Sequence, residues 1–135
     1  MYQVTKVIDF CYGHRLLDYE GKCRYLHGHN GRVEIRLAGE KLDSRGMLTD
    51  FGDIKRVMKE WIDGNLDHRM VLHRDDPALA YIQSIGEPHF VIDENPTAEA
   101  IAKLIYRQAK VFGLPVIDVT LWETPTSFAT FKEEL

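Results

Sequence analysis

"HGHNGRVEIRLAG", residues 27–39, decides the fold. From Val33 onward apolar and charged residues alternate, with Val33, Ile35 and Leu37 against Glu34 and Arg36. That period of two is the mark of a half-buried strand. An H-x-H pair, His27 and His29, sits at the start of the same strand. Two residues apart on an extended segment, the two imidazoles point the same way, and Gly28 between them adds no side chain. Upstream, "YQVTKVIDFCY" (2–12) is rich in β-branched and aromatic residues and reads as another strand. Ile8, Phe10, Tyr12 and His14 share one of its faces, and Val7, Asp9 and Cys11 the other. The charged loop 13–26 joins the two. If they pair antiparallel, the end of the first lies beside the start of the second, and His14 meets His27 and His29. Three neutral imidazoles with an open fourth position describe a catalytic zinc site. Imidazole also suits copper, iron or nickel, so the donors alone leave the metal open.

Working outward, "MLTDF" (47–51) continues the strand. "DFGDIKRVMKEWI" has Ile54, Val57, Met58, Trp61 and Ile62 at helical spacing, with Asp50 or Gly52 to start it and Gly64 to end it. "NLDHRMVLH" (65–73) is irregular. Residues 75–85 form a short helix and 89–93 a short strand. The clearest helix is 95–112, with Thr97 as its N-cap and Glu99 at the positive end of its dipole. Residues 114–124 and 127–133 are two final strands. Strands and helices that do not alternate strictly predict an α+β fold with an antiparallel sheet, helices on one face, and sheet edges open to oligomerisation.

The chain has 135 residues and a net charge of -4, with no basic run. This fits one domain, 1–135, and disfavours non-specific nucleic-acid binding. No apolar run approaches membrane-spanning length, and the N-terminus lacks a signal-peptide core, so a cytoplasmic protein with reduced cysteines is expected.

Several residues carry candidate chemistry. Cys23 stands four residues before His27 and among Arg15, Lys22 and Arg24. A thiol near a metal and cations is a better base or nucleophile; a metal ligand or an inert loop cysteine are the alternatives. Cys11, in mid-strand, reads as a small hydrophobe. Asp67 and His68 place a carboxylate beside an imidazole, which can raise its basicity, although a surface Asp-His is the commoner case. Glu123 ends an apolar run, where it could accept two hydrogen bonds from a heterocycle edge or simply face solvent. His73 and His89 read as surface residues. A cupin motif fits residues 21–34, but its final glycine and its second motif are missing, and two strong helices do not suit a jelly roll, which leaves a cupin-like metalloprotein as a minor alternative. An eight-fold barrel hydrolase cannot be built from this length.

Taken in order, "FCYGHRL" (10–16), "KCRYLHGHN" (22–30), "LTDFGDIK" (48–55), "LDH" (66–68), "NPTAE" (95–99) and "WET" (122–124) resemble the 6-pyruvoyl-tetrahydropterin synthase superfamily over nearly the whole chain. The spacing from Cys23 to His27 resembles its bacterial 6-carboxy-tetrahydropterin synthase branch, which serves queuosine biosynthesis. The resemblance implies a tunnelling fold: a four-stranded antiparallel sheet with helices on one face, assembled as a homo-oligomer, commonly a hexamer. It implies zinc on His14, His27 and His29, and Cys23 as the proton-transferring base. Asp67 and His68 become a second acid/base unit, often from a neighbouring subunit. Glu123 anchors the pterin, with Thr97 and Glu99 near its pocket. The implied substrate is 7,8-dihydroneopterin triphosphate. It is converted to 6-carboxy-tetrahydropterin, acetaldehyde and triphosphate, with Arg15, Lys22, Arg24 and Arg69 as candidates for the triphosphate. The phosphate-eliminating pyruvoyl synthase and a non-enzymatic pterin- or metal-binding module are the alternatives. "CYGH" departs from the family's usual small residues before the first histidine, and segment 73–94 is longer than in short bacterial relatives.

Overall fold

A computed structural model describes residues 1–134. Its element order is β1 (Tyr2–His14), a single 3₁₀ turn (Lys22–Arg24), β2 (His27–Gly39), α1 (Phe51–Asn65), β3 (Arg69–His73), α2 (Ala78–Ser84), β4 (His89–Ile92), α3 (Ala98–Val111), β5 (Val116–Thr124) and β6 (Ser127–Phe131). One six-stranded sheet runs β4-β3-β1-β2-β5-β6. β1 and β2 pair antiparallel along their full length, from Tyr2 opposite Gly39 to His14 opposite His27. β5 and then β6 extend the sheet antiparallel beyond β2, with a bulge where Arg36 gives way to Leu37.

The expected antiparallel four, β1, β2, β5 and β6, are therefore present, but the sheet is larger and mixed. β3 pairs parallel to β1 through Tyr12, Gly13 and His14, and β4 pairs parallel to β3. β3 spans five residues and β4 four. Val71 and Leu72 on β3 are both fully buried, so this strand shows no alternation to read. Residues 47–49 do not prolong β2. The chain instead turns, Leu48 packs against the core, and the Asp50 carboxylate caps α1 by accepting from the Gly52 N–H at 2.8 Å.

The two long helices cover one face. α1 buries Ile54, Met58 and Ile62. α3 buries Ala98, Ala100, Ile101, Ala102, Ile105, Tyr106 and Ala109. Its alanines add little bulk, so the helix backbone can approach the sheet closely. Beneath lie Ile8, Phe10 and Tyr12 of β1, Val33, Ile35 and Leu37 of β2, and Val119 and Leu121 of β5. The core thus fills the inner face, and the histidine end of β1 and β2 lies at its margin. No helix among the described residues is long and apolar enough to cross a membrane.

Candidate active site

The β1–β2 register brings the three histidines together. His14 pairs with His27, and His29 follows two residues along the same face of β2. One nitrogen from each of His14, His27 and His29 lies within 4.8 Å of the others. Backbone carbonyls fix two of the rings. His14 Nδ1 lies 2.6 Å from the Pro96 carbonyl, and His27 Nδ1 lies 2.7 Å from the Tyr25 carbonyl. A carbonyl only accepts, so both Nδ1 atoms carry the proton and both Nε2 atoms present lone pairs. His27 Nε2 is buried with no protein partner, and His14 Nε2 stands 3.1 Å from His29 Nε2. An orphaned buried nitrogen beside two converging ones fits a metal ion, and the carbonyl-anchored Nδ1–H is the usual outer support of a ligating histidine. Burial, reinforced by the charges of His27 and His29, lowers the His14 pKa to about 4 despite the opposing Pro96 hydrogen bond. Burial also lowers that of His29, against the pull of Glu123. These two rings are neutral at pH 7, the form a metal requires.

Around this cluster the other inner-face candidates gather. A cavity of about 270 Å³ is lined by His14, Cys23, Thr97, Glu99 and Glu123, together with Phe128 and its neighbours. Glu123 points inward with Val119 and Leu121 because it shares their parity on β5, and its Oε1 lies 4.0 Å from His14 Nε2. Cys23 sits in the 3₁₀ turn, whose carbonyl accepts from the Leu16 N–H at 2.8 Å, and its thiol is free. Thr97 serves as the expected cap, accepting from the Ala100 N–H at 3.1 Å.

Asp67 and His68 lie elsewhere. His68 adopts a positive φ of 57°, the irregular turn such adjacent residues need to cooperate, and its Nδ1 lies 2.8 Å from Asp67 Oδ2. Asp67 Oδ1 accepts from the Cys11 N–H at 2.9 Å, and Cys11 O accepts from the His68 N–H. Burial pushes the Asp67 carboxyl up, but the Cys11 N–H and the His68 ring outweigh it and hold the group below its ordinary value. Both residues line a groove with Cys11, Asn30 and Trp122. His68 also lines a cavity with His27 and His29, but neither it nor Asp67 borders the cavity of Cys23 and Glu123.

Some residues depart from expectation or escaped notice. Cys11 is not simply a packed hydrophobe: its thiol donates to Asn30 Oδ1 at 2.9 Å. His73 and His89 bond only to loop atoms two residues away. The Arg15 guanidinium is occupied by Asp76, and Arg24 lies over the Tyr25 ring. Asn95 and Pro96 were not singled out by sequence reasoning. The Asn95 amide clamps Leu17 through both its N–H and its carbonyl at 2.9 Å each, while Pro96 supplies the carbonyl for His14. The "NPT" run before the helix was the signal available for them.

The 6-pyruvoyl tetrahydropterin synthase family model matches residues 3–134. A Rickettsia felis protein named 6-carboxy-5,6,7,8-tetrahydropterin synthase is 40% identical over 135 residues, covering 95% of this chain and 98% of that one. A Haemophilus influenzae protein of the same name is 30% identical, covering 98% and 100%. Among solved structures, an uncharacterised protein of Wolinella succinogenes superimposes with a TM-score of 0.80 at 31% identity, covering 98% of each chain. Caenorhabditis elegans 6-pyruvoyl tetrahydropterin synthase does so with 0.74 at 25%, covering 98% of this chain and 96% of that one. With the family model spanning nearly its whole length, the chain belongs to the 6-pyruvoyl tetrahydropterin synthase family.

Proposed function

We propose that this chain is a cytoplasmic, zinc-dependent 6-carboxy-5,6,7,8-tetrahydropterin synthase, a carbon–carbon lyase acting on 7,8-dihydroneopterin triphosphate in queuosine biosynthesis. The observation that carries the reading is the single cavity lined by His14, Cys23 and Glu123. It brings His14, one member of the three-histidine cluster, a thiol and an inward carboxylate to one place. The relatives in Rickettsia felis and Haemophilus influenzae, both named for this activity, support the choice of product.

Each residue has a role under this reading. His14, His27 and His29 hold zinc, which when bound supplies Lewis acidity toward the hydroxyls of the substrate side chain. Glu123 accepts the amino and ring N–H groups along one edge of the pterin, a directional, charge-assisted pair. Thr97 and Glu99 shape the same cavity wall. The Cys23 thiolate takes and returns a proton on the side chain, and His68, oriented by Asp67, moves the other. Because neither Asp67 nor His68 lines the cavity of Cys23 and Glu123, the complete site takes them from a second copy of the chain. This supports a homo-oligomer, for which family resemblance gives a hexamer.

Mass spectrometry of the products formed from 7,8-dihydroneopterin triphosphate tests the assignment. The expected outcome is 6-carboxy-tetrahydropterin with acetaldehyde and triphosphate. A 6-pyruvoyl product with triphosphate overturns it in favour of the eliminating synthase, and absence of turnover by the zinc-loaded protein overturns the enzymatic reading.

A further inference from the structure

Tyr12 is the aromatic residue next to the metal cluster on the inner face of β1. Its ring stacks on Phe10 with centroids 5.3 Å apart. It meets His14 edge-on at 5.3 Å and 75°, and tilts against His29 at 5.7 Å. The three histidines are not held equally. His14 and His27 are each anchored through Nδ1 to a backbone carbonyl. Among the described residues, His29 has no such anchor; its ring nitrogen lies within hydrogen-bond distance only of His14, and its ring packs among His14, His27 and Tyr12. A ring fixed at no carbonyl is oriented by what packs on it, and Tyr12 supplies a wall shared with His14.

Gly31 makes this wall possible. It lies two residues beyond His29 on β2, opposite Phe10. A Cβ placed on Gly31 falls 2.9 Å from Tyr12 Cε1 and 3.3 Å from Cδ1, closer than such atoms tolerate. Gly31 has no positive φ, so the aromatic ring, not the backbone conformation, demands glycine there. The ring is 3% exposed, bounded by Phe10 on one side and open on another to a cavity it lines with His27 and His29, so a displaced Tyr12 moves into the space beside those histidines. The Tyr12 hydroxyl is buried without a protein partner. Within the protein it makes no hydrogen bond that phenylalanine would lose.

We propose that Tyr12 is a positioning residue for the metal site, its ring setting the planes of His29 and His14, and that Gly31 acts as its partner by clearing the space the ring occupies. The inference rests on the metal-site reading above. The test is titration of the apo-protein with Co²⁺, followed by the visible absorption of the loaded site, alongside thermal melting. Tyr12→Phe should bind Co²⁺ as wild type does, with the same spectrum and an equal or higher melting temperature. Tyr12→Ala and Gly31→Ala should each bind about tenfold or more weakly, the loss usual when support around a metal ligand is removed, and with an altered spectrum. In the Tyr12→Ala background, Gly31→Ala should cause no further loss, because the ring it displaces is gone. Equal Co²⁺ affinity in wild type and Gly31→Ala, or the same Gly31→Ala loss in both backgrounds, overturns the inference. Wild-type protein that binds no Co²⁺ overturns the metal reading itself.

Discussion

Glu123 shows what a single position can decide. Its parity with Val119 and Leu121 turns it inward, and it ends 4.0 Å from His14 Nε2. A pterin edge offers two donors spaced for both carboxylate oxygens, so Glu123→Gln replaces one acceptor with a donor facing donors. Binding of a non-reactive pterin should weaken more than tenfold, about 1.4 kcal/mol or more, with metal content and melting temperature near wild type. Isothermal titration checks this, and unaltered affinity removes Glu123 from the site. His27 makes a complementary case. Its Nε2 is orphaned and its Nδ1 is anchored. His27→Ala should abolish stoichiometric zinc by elemental analysis, whereas His73→Ala and His89→Ala should retain it. The histidine cluster was legible in the sequence because two strand periodicities and the antiparallel pairing they imply fix the meeting of His14 with His27 and His29. The carbonyls of Pro96 and Tyr25 were not legible, since a backbone group at long range leaves no side-chain signature.

The elements flanking the site were read unevenly, for physical reasons. α1 and α3 announce themselves by a buried stripe and a side-chain cap at Asp50 and Thr97. β4 was legible as the short strand at 89–93, but β3, read as irregular, is too short and too evenly buried to alternate, and the parallel pairing of both has no local signal. The long segment containing α2 is tied to the site's edge by Asp76. This buried carboxylate accepts from Arg15 Nε at 2.7 Å and from the Ala78 N–H at 2.8 Å, one residue beyond His14. The Arg15 hydrogen bond, against burial, holds the Asp76 carboxyl below its ordinary value. A depressed folded pKa means that the unfolded chain takes up its proton first as pH falls. The stabilisation is therefore complete above the ordinary carboxylate value of about 4 and is lost as pH drops from there through the folded pKa. Asp76→Asn should cost about 1–3 kcal/mol at pH 7, since a buried charge-assisted pair is broken while Arg15, 24% exposed, is partly reached by solvent. Denaturant unfolding from pH 7 to pH 3 should show the gap to wild type narrowing below about pH 4. A gap that is constant across that range would show that Asp76 acts through shape alone.

On the scale of the assembly, the arrangement divides the proposed chemistry between two cavities. Cys23 opens onto the inner cavity with His14 and Glu123, while the exposed His68 lines a separate groove with Asn30 and Trp122. One chain alone presents both halves but does not join them. A closed ring of identical chains can, because a heterologous interface brings one patch of each copy against a different patch of the next. The sequence made the halves visible as "KCRYLHGHN" and "LDH" but could not reveal their separation, which depends on β3 pairing outside β1. The consequence is testable with two inactive variants. Cys23→Ala should keep fold and zinc yet lose turnover by roughly two to four decades, as should His68→Ala, the range typical of a general acid–base group. Each variant nonetheless keeps the half the other lacks. If Cys23 of one copy works with Asp67 and His68 of the next, unfolding and refolding the two together at equal amounts should restore activity. Random assembly pairs two intact halves at about a quarter of interfaces, which sets the expected recovery relative to wild type. Each variant refolded alone should stay inactive, and size-exclusion chromatography should show the same oligomer in every sample. Mixed oligomers with no recovery would mean that the thiol and the Asp67–His68 pair serve one chain, and that the chain rearranges to bring them together.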